Sequence, residues 1–403
     1  MPIKSVITTE RIPIKMWLDE NDVEESALQQ AKNAANLPMA FHHIALVPDA
    51  HSGYGLPIGG IAALDSNYVV PFMVGNDIGC GMCAIQTNLF TDDFPMELRK
   101  KVLGTMRERI PVGFNHQKES SEFLMPDYNA NKDGQPRNMP ANSIVKKEWQ
   151  KATYQIGTLG SGNHFCEIQK DENDNIWIMI HSGSRNLGHQ VANHYHDLAM
   201  DLNKKWYTSV PKEWKLAFLP MDEYGEDYLA EMNYCLDFAL ANREAMLNDI
   251  MCALLKHIPS IEFAEDSYVN IHHNYAQLEN HFNKNVMVHR KGATSARKGE
   301  MGIIPGSQGT SSYIVRGLGN PDSFTSCSHG AGRILGRKQA KKELDLKEEQ
   351  KKLDEQGILH SIRHQNDLEE AVGAYKNIDE IMKNQNDLVE IVEKLQPLAV
   401  MKG

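Results

Sequence analysis

Apolar positions recur along this chain in two rhythms, and the changes of rhythm mark out its elements. Over residues 22–36 the side chains of Val23, Ala27 and Ala31 share one face at helical spacing, and Pro38 lies just past the end, so a short helix is expected there. Residues 44–47, 58–64, 68–74 and 84–89 are short, apolar or β-branched runs punctuated by Gly, Pro and Asn, the pattern of strands. A helix is expected over 96–109. From 116 to 142 the chain turns polar, which reads as a surface excursion with little core-forming power. Strands return at 165–168 and 176–181, followed by long helical patterns over 188–205 and 226–257, and by further strands at 286–289 and 312–315. A charged stretch at 338–356, carrying Leu344, Leu346 and Leu353, reads as one peripheral helix. With no internal repeat or linker, residues 1–403 are expected to form a single α+β domain with a mixed sheet or sandwich core flanked by helices.

Composition narrows this picture without redirecting it. The 403 residues are 41% hydrophobic and 24% charged, ordinary for a globular protein. No run of 18 apolar residues exists and the N-terminus lacks the apolar core of a signal peptide, so the expected location is the cytoplasm. Six cysteines in so long a chain are too sparse for a disulfide scaffold, and reduced thiols are expected. The formal charge of -11 runs against a broad nucleic-acid surface, so any polyanion site must be local; basic residues do gather between Arg290 and Lys342.

Candidate chemistry sits in glycine-rich turns that each carry a metal-capable side chain: PDAHSGYG, VGNDIGCGMC, GTLGSGNHFCE, IHSGSRNLGH, HHNYA and CSHGAGR. Glycine lets the backbone turn tightly and approach a ligand closely. Asp77 and Cys80 place a carboxylate and a thiol three residues apart on one such turn, where both can reach one cation; a buried structural cysteine is the competing reading. Cys83 completes a C-x-x-C with Cys80, but no second pair follows at zinc-ribbon spacing. His164 stands immediately before one expected strand and His181 closes another, so both project at a sheet's end, where ligands commonly bind. His272 and His273, if extended, point to opposite faces, so only one of them can join the same site. His194 and His196 read as surface residues of a helix. There is no H-E-x-x-H, no Walker P-loop and no K-x-D-G, so a lysine in the usual ligase motif is not a nucleophile here.

Taken together, VGNDIGCGM, GTLGSGNHFCEI, HSGSRNLGH, HHNYA, RKGATSARKGEMGIIPGSQGTSSYIVRGLGN and SCSHGAGR resemble the RtcB family of RNA-splicing ligases, and the resemblance runs from PDAHSGYG to the terminal PLAVMKG. It implies an enzyme dependent on GTP and manganese (two Mn2+ ions) that joins an RNA 2',3'-cyclic phosphate or 3'-phosphate end to a 5'-hydroxyl end. By the same resemblance His329 of SCSHGAGR would carry GMP, and Asp77, Cys80, His164, His181 and His273 would hold the metals. Ligand softness alone favours zinc at a Cys/His site, whereas manganese prefers oxygen. Around the nucleotide the resemblance places Asn163, Phe165, Cys166, Glu167, Asn274, Pro305, Gly306, Ser307, Gln308, Ser312, Gly330, Ala331, Gly332, Tyr375 and Lys402. Glu167 suits the donor edge of guanine and Lys402 its O6 acceptor, a pattern adenine reverses. Arg185 and Arg333 suit RNA phosphate recognition by a bidentate fork, and either equally suits a structural ion pair. Asn186 replaces a glycine common in the family, and the turn is expected to survive because asparagine tolerates left-handed geometry. Two rival readings are a dinuclear metallophosphoesterase that opens RNA cyclic phosphates without ligation, and a non-catalytic RNA-binding subunit. The identity of the RNA and any activating protein partner do not follow from these residues.

Overall fold

The computed structural model describes residues 2–126, 136 and 139–403, and part of the polar stretch expected at 116–142 lies outside the described residues. Two large sheets, two small two-stranded ones and the helices covering them make one α+β fold. The six-stranded sheet runs, in spatial order, Ser5–Ile7, Ile14–Met16, Ala40–Tyr54, Leu56–Asp65, Lys284–Lys291 and Asn274–His281. The seven-stranded sheet runs Phe263–His272, Gly81–Phe90, Asn175–Ser182, Phe165–Lys170, Val389–Lys402, Ser312–Gly317 and Met301–Ile304. Strand Phe263–His272 is the edge of one sheet and Asn274–His281 the edge of the other, so His273 alone separates the two. A functional site built on that residue is built on the corner between the sheets.

Alternation along the strands of the second sheet explains how both of its faces are buried. Cys83, Ile85, Cys166, Ile168, Ile178 and Ile180 face one way and pack on helices Met96–Arg109 and Glu226–His257 through Val102, Met106, Met246 and Ile250. Met82, Ala84, Phe165, Trp177 and Met179 face the other way, toward Ile303, Ile314 and Leu395. Helix Glu25–Ala35 lays Ala27, Ala31, Ala34 and Ala35 against Ile44, Leu46, Ala62 and Leu64 of the first sheet. Small residues on that stripe let the helix lie close to the strands.

Two expected elements differ from what forms. Residues 68–74 are not one strand: Tyr68–Val69 pair with Leu219–Pro220, and Pro71–Val74 make a turn of helix, because Pro71 has no N–H for a ladder and its fixed φ suits the first helical position. The charged stretch at 338–356 is two helices, Arg337–Glu343 and Leu346–Asp354; the Asp345 carboxylate accepts from Glu348 N–H at 2.9 Å and so starts the second. In the Arg185 turn the left-handed residue is Arg185 itself, at φ 56°, so Asn186 is not asked to adopt that geometry. Within the basic run from Arg290 to Lys342, Arg290 is fully buried against Glu279 at 2.5 Å and Lys291 is buried as well, whereas Arg297, Lys298, Arg316, Arg337, Lys338 and Lys342 are exposed. Among the described residues no helix is long and apolar enough to cross a membrane, and all six cysteines are free.

Candidate functional site

Four turns deliver their polar ends to the place where the two sheets meet. Cys80 precedes strand Gly81–Phe90, His164 precedes Phe165–Lys170, His181 lies near the end of Asn175–Ser182, and His273 is the corner residue. Cys80 Sγ lies 3.2 Å from His181 Nε2 and 3.4 Å from His164 Nε2, and His164 Nε2 lies 3.1 Å from an Asp77 carboxylate oxygen. The ligand atoms of Cys80, His164 and His181 all fall within 4.8 Å of one another. The His273 ring adjoins them, its centroid 5.2 Å from that of His181. All five side chains named as metal ligands therefore reach one place. His272 turns away as alternation requires, its Nδ1 3.1 Å from Gly79 O.

The donor set fits a divalent cation. Leu159 O and Asn163 O accept from Nδ1 of His164 and His181 at 2.9 and 3.2 Å, which orients each ring with its Nε2 toward Cys80. Burial keeps the His181 and His273 imidazoles deprotonated far below their usual pKa, and the neutral ring is the ligating form. Burial opposes ionisation of Asp77, but the hydrogen bond and charge of His164 hold its carboxyl down at about 2. Nδ1 of His273 is buried without a hydrogen-bond partner, a polar atom left for something else to satisfy.

His329 follows strand Ser326–Ser328 and its ring stands edge-on to His273, 4.8 Å between centroids. Asp49, fully buried on strand Ala40–Tyr54, receives the Nδ1 side of His329 at 2.6 Å. The same oxygen accepts the backbone N–H groups of His329 and Gly330 at 3.1 and 3.2 Å. With its Nδ1 proton committed to Asp49, the ring keeps an Nε2 lone pair. That arrangement depends on a bare neighbour: a Cβ on Gly292, whose φ is 58°, would stand 3.0 Å from His329 Cε1. A cavity of about 830 Å³ takes in His181 and His329 together with Asn163, Phe165, Glu167, the Pro305–Gln308 turn, Gly330, Ala331, Gly332, Tyr375 and Lys402.

Comparison with known proteins places this site in a family. Residues 30–403 match the family described as tRNA-splicing ligase RtcB. The RNA-splicing ligase RtcB of Escherichia coli K12 is 37% identical over 419 aligned positions that cover 99% of both chains. The chain belongs to the RtcB family. The tRNA-splicing ligase RtcB of Nanoarchaeum equitans is 34% identical, covering 97% of this chain and 95% of the relative, and the RNA-splicing ligase RtcB homolog 1 of Entamoeba dispar is 33% identical, covering 97% and 84%.

Not every residue that resemblance to the RtcB family assigns to the nucleotide reaches the cavity. Strand Phe165–Lys170 turns Phe165 and Glu167 into it, so Cys166 points the opposite way and is buried among Ile168, Ile178 and Ile180. Ser312 instead braces the lining, its Oγ accepting from Gly306 N–H at 3.2 Å and Gln169 Nε2 at 3.1 Å. Asn274 ties two loops, donating to Asp77 O at 3.0 Å and accepting from Gly292 N–H at 2.7 Å. Arg333 lines the cavity, and its guanidinium donates to Glu370 at 3.1 Å, to Leu335 O at 3.0 Å and to Glu369 O, the ion pair expected as the alternative to a phosphate contact. Arg185 is tied to Thr158 Oγ1 and Gly113 O, both at 3.0 Å, beside the loop that carries His164. His196, read as a surface residue, is half-buried with its ring against Phe72, 3.4 Å between centroids; His194 is exposed.

Three functional positions escaped the sequence reading. Asp49 sits in PDAHSGYG, a window singled out without a role, and the signal was an acid on a glycine-flanked turn. Asn242 and Arg243, adjacent on helix Glu226–His257 and both fully buried, are the other two. Asn242 accepts from Gly157 and Thr158 N–H at 2.8 and 3.1 Å and donates to Thr158 O, Ser182 Oγ and Gly183 O. Arg243 donates to Gly79 O, Ser182 O and Asn270 Oδ1 at 3.1, 2.9 and 2.6 Å. One dipeptide thus clamps the loops that carry Cys80, His164, His181 and His273. Asn242 falls on the same stripe as Cys235, Phe238, Ala239 and Met246, and a polar residue on an apolar stripe was the legible signal.

Proposed function

We propose that this chain is a GTP- and Mn2+-dependent RNA ligase that joins 2',3'-cyclic phosphate or 3'-phosphate ends to 5'-hydroxyl ends through a GMP carried on His329. The observation that carries this reading is the His329 ring, locked by Asp49 at 2.6 Å in a cavity shared with the Cys/His cluster and with a polar lobe suited to guanine. Asp77, Cys80, His164, His181 and His273 would hold the metal, which when bound would polarise phosphoryl oxygens and offset charge on the leaving group. His329 Nε2 attacks the α-phosphorus of GTP, pyrophosphate leaves, and the Asp49 carboxylate stabilises the positive charge that develops on the ring. The RNA 3'-phosphate oxygen then takes GMP from His329, which departs as neutral imidazole, and the 5'-hydroxyl displaces GMP to form the phosphodiester. A cyclic end must first be opened by water.

Guanine selection rests on Glu167 and Lys402. Burial pushes the Glu167 carboxyl up to about 7, against the pull of Lys402 and Gln169. Guanine N1–H and N2–H need the ionised acid, so guanosine affinity is expected to rise about tenfold from about pH 6 to about pH 8 as Glu167 loses its proton. Calorimetric titration of guanosine into the metal-free protein measures this, and Glu167→Gln should flatten the profile. Glu370, which holds Arg333 at 3.1 Å and lies 3.7 Å from Lys402, keeps the back of the lobe neutralised.

The test of the ligase reading is direct. Wild-type protein with α-labelled GTP and Mn2+ should acquire an acid-labile label and join a 3'-phosphate oligonucleotide to a 5'-hydroxyl one, and His329→Ala should lose both. Opening of cyclic ends without GTP, without labelling and without joining would establish the phosphoesterase instead.

A further inference from the structure

The same cavity is also lined by His51, Ser52, Tyr54, Phe72, Asn76 and Lys291, a group taken here as a second lobe, none of which has a part in the nucleotide reading. Lys291 is what makes this lobe a site. Its side chain is buried, and Nζ donates to the carbonyl oxygens of Tyr54 and Phe72. An ammonium carries three N–H donors, so one is left over. Among the described residues no carboxylate lies within ion-pair distance of it. Burial, reinforced by the charge of Lys215, lowers its pKa to about 7, so near neutral pH amine and ammonium are balanced, and an arriving anion would favour the ammonium with its spare donor.

Position gives that cation a purpose. The residue after Lys291 is Gly292, which lies against the His329 ring, and the Lys291 stem lies over Gly75, where a Cβ would meet its Cε at 3.2 Å. Gly75 opens the loop that carries Asp77 and Cys80. Lys291 is therefore the chain neighbour of the residue against the histidine that would carry GMP, and its stem lies on the loop that would carry metal.

His51 adds a second, different contact on the same wall. Its Nδ1 lies 2.9 Å from Asp49 O, and burial lowers its pKa to about 4, so the neutral ring donates from Nδ1 and keeps Nε2 as an acceptor. A sugar hydroxyl is a donor that such an atom can take, and a 2'-hydroxyl is what tells RNA from DNA at a given position. At the mouth, Tyr54 is exposed, with Lys215 Nζ 4.3 Å above its ring, and Glu24 is the acidic residue on the rim. An exposed aromatic beside a phosphate donor suits a base.

We propose that this second lobe binds the 3'-phosphorylated terminal nucleotide of the RNA, Lys291 donating to the phosphate and His51 Nε2 accepting from the 2'-hydroxyl. The identity of the ligand rests on the ligase reading above. The alternative owner of a phosphate at Lys291 is the triphosphate tail of GTP, and the experiment separates the two.

In a His329→Ala background with Mn2+, binding of a fluorescent RNA oligonucleotide ending in 3'-phosphate is compared with the same oligonucleotide ending in 3'-hydroxyl, alongside binding of GTP. Lys291→Met is expected to weaken the 3'-phosphate oligonucleotide about 10- to 100-fold, leaving the 3'-hydroxyl oligonucleotide and GTP unchanged, with partial recovery in Lys291→Arg. His51→Phe is expected to keep the phosphate preference and lose the preference for a ribose over a deoxyribose terminal sugar. Thermal melts report whether each variant folds, and the His51 arm stands if Lys291→Met does not. Loss of GTP affinity in place of RNA affinity assigns the lobe to the triphosphate and overturns the proposal, as does an unchanged 3'-phosphate preference. Self-labelling of the wild-type protein by α-labelled GTP is read separately: its absence sinks the ligase reading, whereas its presence with an unaltered RNA preference sinks this inference alone.

Discussion

Asp49→Asn is expected to slow self-guanylylation by about 10²- to 10⁴-fold while leaving the protein folded. The amide has the same shape as the carboxylate, but it presents an N–H where His329 needs an acceptor, or an oxygen without the charge that steadies the imidazolium. Asp49 takes three donors on one oxygen, the His329 ring at 2.6 Å and two backbone N–H groups at 3.1 and 3.2 Å, so its loss disturbs both the tautomer and the turn that presents the ring. Burial raises the cost of that charge, yet His329 beside it keeps the carboxyl below its ordinary pKa, as an ion held for a partner should be. Rapid-quench measurement of the single-turnover rate of adduct formation reads the effect. A rate within a factor of about three of wild type would show that the carboxylate neither orients nor stabilises the ring.

Asn242→Ala is the second large effect, and it acts at a distance. Five hydrogen bonds end on this one buried amide, and their partners are backbone and hydroxyl groups of the loops that carry His164 and His181. Each group left buried without a partner costs about 1–3 kcal/mol, and with partial relaxation the total is expected near 3–5 kcal/mol. Chemical denaturation of the metal-free protein measures the loss. Metal binding should weaken in the same variant, because a site whose supporting loops relax no longer holds its ligand atoms in place. Full stability in Asn242→Ala would mean that water replaces the amide and that the clamp is dispensable.

Much of the fold could be read from periodicity because helices and strands impose different spacings on their apolar residues. Helices Met96–Arg109 and Glu226–His257 form over the expected residues, since Val102, Leu103 and Met106 in the first and Phe238, Met246 and Ile250 in the second recur at helical spacing. The reading failed at 68–74, where β-branched residues outvoted a single proline, and at 338–356, where Asp345 restarts a helix that the charge pattern joins into one. Strands Phe263–His272 and Val389–Lys402 passed unread because each is half-buried and carries charged residues, which blurs the alternation.

By itself the sequence determined which side chains are able to do chemistry: glycine turns bearing Asp77, Cys80, His164, His181, His273 and His329 announce close backbone approach and metal-capable groups whatever the topology. Only the tertiary structure decided who meets whom. That Asp49 serves His329, that Glu370 claims Arg333, that Cys166 faces the core and that Lys291 has no counter-ion among the described residues all depend on sheet register and on the corner at His273. The physical reason is that local sequence sets the direction of a side chain along its own strand, whereas the partner it finds comes from another strand whose pairing is a property of the whole fold.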